Sequence, residues 1–253
     1  MPQIKLDDVS HTFESTGGAA LEVLRSISLA VNEGEFAAIV GPSGCGKTTV
    51  LRLAAGLLVP TAGRVTVAGQ PPVKVRDQGQ LSFMFQSATL LPWRTVGQNI
   101  SLPLELAGAR DDRLVESLIR LVKLDGFANH FPRELSGGMK SRVALARSIA
   151  RSPSLLFLDE PFGGLDEETS RDLNLALRAV WRERQTTILL VTHNIEHAVF
   201  VAERVFVMSH RPASVMAEIR IELPEPRSRH TRFSEEYFAA LKRVRHVLEG
   251  RHA

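Results

Sequence analysis

The stretch FAAIVGPSGCGKTT, residues 36–49, decides the fold. A strand-length apolar run passes straight into GPSGCGKTT, which fits the pattern G-x-x-x-x-G-K-[ST] and opens a helical segment. Gly41, Gly44 and Gly46 let backbone N–H groups turn inward around phosphate oxygens, and a helix N-terminus adds unpaired donors and a favourable dipole. Lys47 is placed to reach the β- and γ-phosphates of a nucleotide, and Thr48 to give its hydroxyl to Mg²⁺. Pro42, Ser43, Cys45 and Thr49 complete the phosphate-binding set. A purely structural glycine turn is the alternative, and strand, loop and helix in this order weigh against it. Two readings of Cys45 stand: a thiol activated by the positive backbone dipole, which makes alkylation block nucleotide binding, or a small side chain that fits the loop.

Working outward, short β-like runs at 4–9 and 27–31 precede the loop, and a helical pattern over 47–58 follows it, stopped by Pro60 and Gly63. Residues 64–67 and 81–85 read as strands. From 87 to 151 the character changes: a loop with Pro and Trp leads into RDDRLVESLIRLVKL, where Leu114, Leu118, Leu121 and Val122 share one helical face. This predicts a helical insertion. Strand-like runs at 155–158, 187–191 and 204–208 then alternate with helical segments 167–184 and 195–202, the signature of an α/β domain with a mainly parallel sheet. LPEPRSRHTR marks a linker, and SEEYFAALKRVRHVLE reads as a C-terminal helix capped by Ser234. Its Lys242, Arg243 and Arg245 read as a solvated charged face, with contact to anionic lipid as the alternative.

Composition bounds what this domain can be. With 253 residues, 44% of them hydrophobic and 23% charged, the chain can bury a full core. A net charge of +3 does not argue for nucleic acid, and a single cysteine excludes an intramolecular disulfide. The N-terminal MPQIKLDDVSHTF places acidic residues where a secretory signal needs an apolar stretch, and no run is long enough to cross a bilayer. Any membrane role is therefore borrowed from a partner.

Two further strands end in polar residues. LLFLDEP brings Asp159 and Glu160 to a strand's C-terminal edge, where Asp159 can hold Mg²⁺ and Glu160 can polarise a water in line with the γ-phosphate. Adjacent residues on a strand point to opposite sides, so the two carboxylates have separate tasks. TILLVTHN ends at His193, placed to contact the γ-phosphate, and Gln86, at the end of LSFMFQ, is placed to sense Mg²⁺ or the water.

GPSGCGKTT, Gln86, LSGGM, LLFLDEP, FGGLD and VTHN occur in this order, and in this the chain resembles the ATP-binding subunit of an ABC transporter over most of residues 4–222. The resemblance implies an α/β P-loop cassette over residues 1–222, with a mainly parallel core sheet, an N-terminal antiparallel β subdomain and a helical subdomain over about 87–151. Residues 223–253 would form a linker and helical tail. It implies ATP and Mg²⁺ as ligands and a head-to-tail dimer, each ATP lying between the loop of one chain and Ser136, Gly137 and Gly138 of the other. Asp166 would make a contact across that dimer, and Phe13 would stack on adenine. Two positions depart from the family pattern: Met139 replaces a Gln after LSGG, and Gly164 replaces an Ala before Asp166.

LLPWRTVGQNI, FPRELSGGM, DEPFGGLD and VTHNIEHAVFVAERVFVMSHRPASV are similar to the nitrate, sulfonate and taurine importer ATPases, where Met after LSGG is common. That similarity implies an ATPase subunit bound peripherally to the cytoplasmic face of the inner membrane of a bacterium and paired with a second ATPase subunit, either another copy in a homodimer or a different cassette in a heterodimer. A separate permease would meet the surface around Trp93 and Arg94, and a periplasmic solute-binding protein would act through that permease. Two alternatives stand beside this reading. A soluble nucleotide switch in translation or DNA repair would carry paired cassettes or a long coiled-coil insertion, and a plain P-loop kinase has no need of LSGG.

Overall fold

The apolar strand that opens the phosphate loop lies inside a six-stranded sheet. In the computed structural model, which describes residues 2–14 and 19–250, the chain begins with β1 (Pro2–Phe13), β2 (Leu21–Asn32), β3 (Phe36–Val40), α1 (Lys47–Ala54), β4 (Ala62–Val67), α2 (Pro72–Asp77) and β5 (Leu81–Met84). Three helices follow, α3 (Val96–Leu106), α4 (Asp112–Leu121) and α5 (Gly137–Ile149). The chain then alternates through β6 (Leu155–Asp159), α6 (Glu167–Arg184), β7 (Thr187–Val191), α7 (Ile195–Val201), β8 (Arg204–Met208) and β9 (Val215–Arg220), and ends in α8 (Glu235–Leu248). Residues 1, 15–18 and 251–253 of the expected cassette and tail lie outside the described residues.

The large sheet has the order β5-β6-β7-β3-β8-β9, parallel throughout except for β9, which runs antiparallel to β8. β3, β6 and β7 are buried at every position. That is why they read as continuous apolar runs rather than as alternating ones. Successive residues nevertheless serve different cores: Phe36, Ala38, Leu156, Leu158, Ile188 and Leu190 face the helices of the insertion and the C-terminal half. Ala37, Ile39, Phe157, Leu189 and Val191 face α1 and the small antiparallel sheet β2-β1-β4.

Several boundaries differ from the sequence expectation. The helix expected over 47–58 stops at Ala54 because Gly56, at φ +68°, turns the chain left-handed and the amides of Gly56 and Leu57 close on the carbonyls of Leu53 and Arg52. β5 ends at Met84, one residue early, where its pairing with β6 runs out. The loop expected after Gln86 contains α3, started by a capping box in which Thr95 and Gln98 satisfy each other's amides. Its internal Pro103 breaks the sequence pattern that a helix ordinarily shows. The short α2 and the edge strand β9 are also additions, and α5 begins at Gly137, directly after its N-cap Ser136.

The segment read as linker and tail packs against the sheet domain. Leu223, Tyr237, Ala240, Leu241 and Val244 join the same apolar cluster as β3, β8 and α7, while Lys242, Arg243 and Arg245 face solvent. Leu241→Ala is expected to lower the unfolding free energy by about 2–5 kcal/mol, and Arg245→Ala on the same helix to stay within about 0.5 kcal/mol. Urea denaturation midpoints check both, and equally small shifts would place α8 off the core.

Candidate active site

Strand register assembles the site. Ile39 of β3 and Asp159 of β6 both pair with Val191 of β7, and Met84 of β5 pairs with Leu158. The carboxyl ends of the four strands are therefore level, and they deliver the phosphate loop, Gln86, the two carboxylates and the Thr192–His193 turn to one edge, where parallel sheets bind ligands. A cleft of about 350 Å³ opens there, with Lys47, Thr48, Gln86 and Glu160 in its walls and Phe13 at its rim.

The loop is shaped by backbone. Gly46 has φ +118°, and a side chain there would begin 2.7 Å from Val23 Cγ1 and 2.8 Å from Leu24 Cδ2, so only glycine fits against β2. α1 starts at Lys47 with no side-chain cap and no acidic residue in its first turn. Its leading N–H groups and positive dipole end are left for an anion. Lys47 is buried, and its Nζ donates to the carbonyl oxygens of Gly41 and Pro42, each at 2.9 Å. Ser43 and Gly44 form the exposed crest and, with Gly46 and Thr49, line the cleft. Gly41, Pro42 and Cys45 do not line it. Cys45 is 2% exposed and belongs to the core beneath the loop, which favours the small-residue reading over the reactive one.

Thr48 Oγ1 donates to Asp159 Oδ1 at 2.9 Å. Asp159 is 1% exposed, and burial raises its pKa against the opposing hydrogen bond from Thr48, with Glu160 adding repulsion. A carboxylate buried this deeply without a direct cation partner is suited to a divalent ion.

Glu160 is held differently. Its backbone adopts φ +49°, a left-handed conformation unusual for a side-chain-bearing residue, while its amide donates to Val191 O at 2.9 Å. The turn after β7 then encloses the carboxylate. Thr192 Oγ1 donates to Oε2 at 3.0 Å, the His193 amide donates to Oε1 at 2.8 Å, and His193 Nδ1 lies 2.8 Å from the same oxygen. With its acceptor oxygens oriented by three groups, Glu160 is fixed at the cleft wall, and the His193 ring remains largely exposed beside it. Such a pair can position and polarise a water and bind a terminal phosphate.

Ser136, Gly137, Gly138 and Asp166 do not line this cleft. Ser136 Oγ accepts from the Met139 amide and starts α5, leaving Ser136 and Gly137 exposed. Asp166 caps α6 by accepting from the Thr169 amide at 2.9 Å, and that contact holds its carboxyl below the usual carboxylate range.

Sequence reasoning passed over two residues. Thr192 lies within VTHN but takes no role from the motif alone, because its bond to Glu160 appears only when β6 and β7 are paired. Arg211, in the turn between β8 and β9, lines the cleft from far along the chain.

A family model described as ABC transporter matches residues 24–163. An aliphatic sulfonates import ATP-binding protein of Bacillus licheniformis is 43% identical over 214 residues, covering 84% of this chain and 83% of the relative. A nitrate import ATP-binding protein of a Synechocystis strain is 38% identical over 258 residues, covering 98% of this chain and 96% of the relative. Among solved structures, a dimeric ATP-binding cassette in a post-hydrolysis state bound to ADP and Pi superposes with a TM-score of 0.79 at 31% identity, covering 87% of this chain and 99% of that one.

Two outcomes follow from burial around the cleft. Iodoacetamide is expected to leave Cys45 unmodified in the folded chain over a time that fully alkylates the urea-unfolded chain, as read by mass spectrometry; rapid labelling of the folded chain would contradict the buried placement. His197, beside Phe162 and one turn along α7 from His193, is pushed down to about 4 by burial, with Arg232 and His193 adding repulsion. An unfolded chain titrates this group near 6.5 and so binds more protons between the two values. Stability is therefore lost as pH falls from about 6.5 towards 4, and His197→Leu should flatten that part of the melting-temperature profile.

Proposed function

The chain belongs to the ABC transporter family as an ATP-hydrolysing cassette, and from that premise we propose that it powers uptake of a small anionic or polar solute of the nitrate, sulfonate or taurine kind through a separate permease. The observation that carries the catalytic part is the Glu160 carboxylate, clasped by Thr192 and His193 in the wall of a cleft built on the phosphate loop. In this reading the loop from Gly41 to Thr49 cradles the triphosphate, Lys47 turns from its two carbonyls to the β- and γ-phosphates, and Phe13 stacks on adenine. Glu160 polarises the attacking water and His193 contacts the γ-phosphate. Thr48, Asp159 and Gln86 would hold Mg²⁺, which neutralises developing phosphate charge.

The second half of each site comes from a second copy of this chain. Ser136, Gly137 and Gly138 expose a helix start suited to a γ-phosphate, and Asp166 lies on the neighbouring exposed turn. Two ATP molecules then close the dimer, and hydrolysis with product release reopens it. Met139 packs against the core rather than presenting an amide, which fits the nitrate and sulfonate group.

No helix among the described residues is long and apolar enough to cross a membrane. We place the chain peripherally on the cytoplasmic face, with the permease on the helical subdomain, residues 87–151, at Trp93, which is 70% exposed, and Arg94. A periplasmic solute-binding protein selects the cargo on the other side. Residues 1–222 form the cassette in this reading, and 223–253 its packed tail.

Glu160→Gln is expected to abolish turnover and to accumulate an ATP-bound dimer in size-exclusion chromatography with light scattering. Wild-type turnover without dimerisation in that variant would refute the assignment. Ser136→Ala should lower kcat by about 10²- to 10³-fold, as for loss of one preorganised donor.

A further inference from the structure

Arg211 has no hydrogen-bond or ion-pair partner among the described residues, yet it stands at the crest of the phosphate loop. Its Nη2 lies 3.0 Å from the point where a side chain on Gly44 would begin, which puts the guanidinium directly against the loop. Arg211 lines the same cleft as Ser43, Lys47 and Thr48, is exposed, and makes no hydrogen bond or ion pair among the described residues. Lys47, the other cation there, is buried and already shared between two loop carbonyls.

The backbone that carries Arg211 is firmly held. Ala213 is fully buried and bridges to Leu24 of β2, with the Arg25 amide donating to Ala213 O and the Ala213 amide donating to Val23 O, each at 2.9 Å. Ser209 and Ser214 close the turn from its two ends, the Ser214 amide donating to Ser209 Oγ at 2.9 Å and the Ser209 amide to Ser214 O at 3.0 Å. Val23 and Leu24, the residues to which the turn is tied, are also the ones that pack against Gly46. The turn and the phosphate loop are thus braced on one strand. Because its backbone is already fixed, only the Arg211 side chain has to be ordered on meeting phosphate, and its planar fork matches two phosphate oxygens.

We infer that Arg211 is a nucleotide-binding residue that donates to the non-bridging phosphate oxygens of ATP from the side of the cleft formed by the β8–β9 turn. This rests on the ATPase reading and adds to it a cationic contact outside the loop motif.

The test is equilibrium binding of a non-hydrolysable ATP analogue with Mg²⁺ to the full chain, by calorimetry, for the parent, Arg211→Ala and Arg211→Lys. Arg211→Ala is expected to weaken binding by about tenfold to a hundredfold, the range for loss of a charged hydrogen-bonding group. Arg211→Lys should recover only part of this, and adenosine should bind all three chains alike. The deficit should persist at 0.5 M salt, where long-range attraction is screened to about a few ångströms. A parent that binds the analogue and an Arg211→Ala chain that matches it, at low salt or only at high salt, overturns the inference alone. A parent that binds no analogue overturns the ATPase reading and the inference together.

Discussion

The site depends on the register between β6 and β7. Asp159 pairs with Val191, and the next amide, that of Glu160, donates to Val191 O before the chain leaves the sheet in a left-handed turn. That register sends the two carboxylates to different surroundings. Asp159 stays in the strand, buried against Thr48, while Glu160 swings into reach of Thr192 and His193 from the neighbouring strand. A slip of one residue would exchange the faces of β6 and bring Leu158 or Glu160 to the buried position. With apolar residues on both faces of both strands, that slip is opposed by side-chain shape, since Phe157 would have to leave the core it fills for the other.

How much of this was legible in the amino-acid sequence depended on where each residue's partner lay. β3, β6 and β7 were readable because burial on both faces leaves an unbroken apolar run that ends abruptly in polar residues. The phosphate loop was readable because its chemistry needs glycine at fixed spacing, and Gly46 is explained by Val23 and Leu24 as much as by phosphate. α3 was hidden by Pro103 and by Asn99, a fully buried polar residue that serves the loop before it by bonding Leu91, Arg94 and Thr95. Thr192 and Arg211 could not be singled out at all, since what distinguishes each of them is a neighbour brought close only by the fold.

The residues that the family resemblance assigns to a second chain already have work in their own. Ser136 and Asp166 are both N-caps, of α5 and α6, so each is held in place by the helix it starts. These two helix starts also touch: a side chain on Gly138 would begin 3.1 Å from Leu165 Cδ2 and 3.3 Å from Gly164 O. Glycine at 138 thus lets α5 lie against the 163–166 turn, and that turn continues directly from Glu160, whose carbonyl accepts from the Gly163 amide at 3.0 Å. The surface that would face another chain is therefore continuous, through the 163–166 turn, with Glu160 at the wall of the cleft.

The other side of Glu160 is governed by α7, a helix of seven residues, too short to persist by its own hydrogen bonds. It is fixed at both ends. Asn194 caps its start by accepting from the amides of Glu196 and His197. At its far end Arg227 donates to the carbonyls of Val199, Phe200 and Ala202, and Arg178 to that of Val201. Both arginines also reach Glu225, and Tyr237 of α8 donates to Glu196 O at 3.2 Å. Burial pulls Arg227 down to about 10, with Arg178 adding to the effect, so it remains a cation at neutral pH and its desolvation is offset by three carbonyl dipoles and a carboxylate. A stretch of prolines and arginines that reads as a connector thus supplies the C-terminal anchor of the helix that follows His193. Because His193 precedes that helix directly, its distance to Glu160 is set partly by residues more than thirty positions further along the chain.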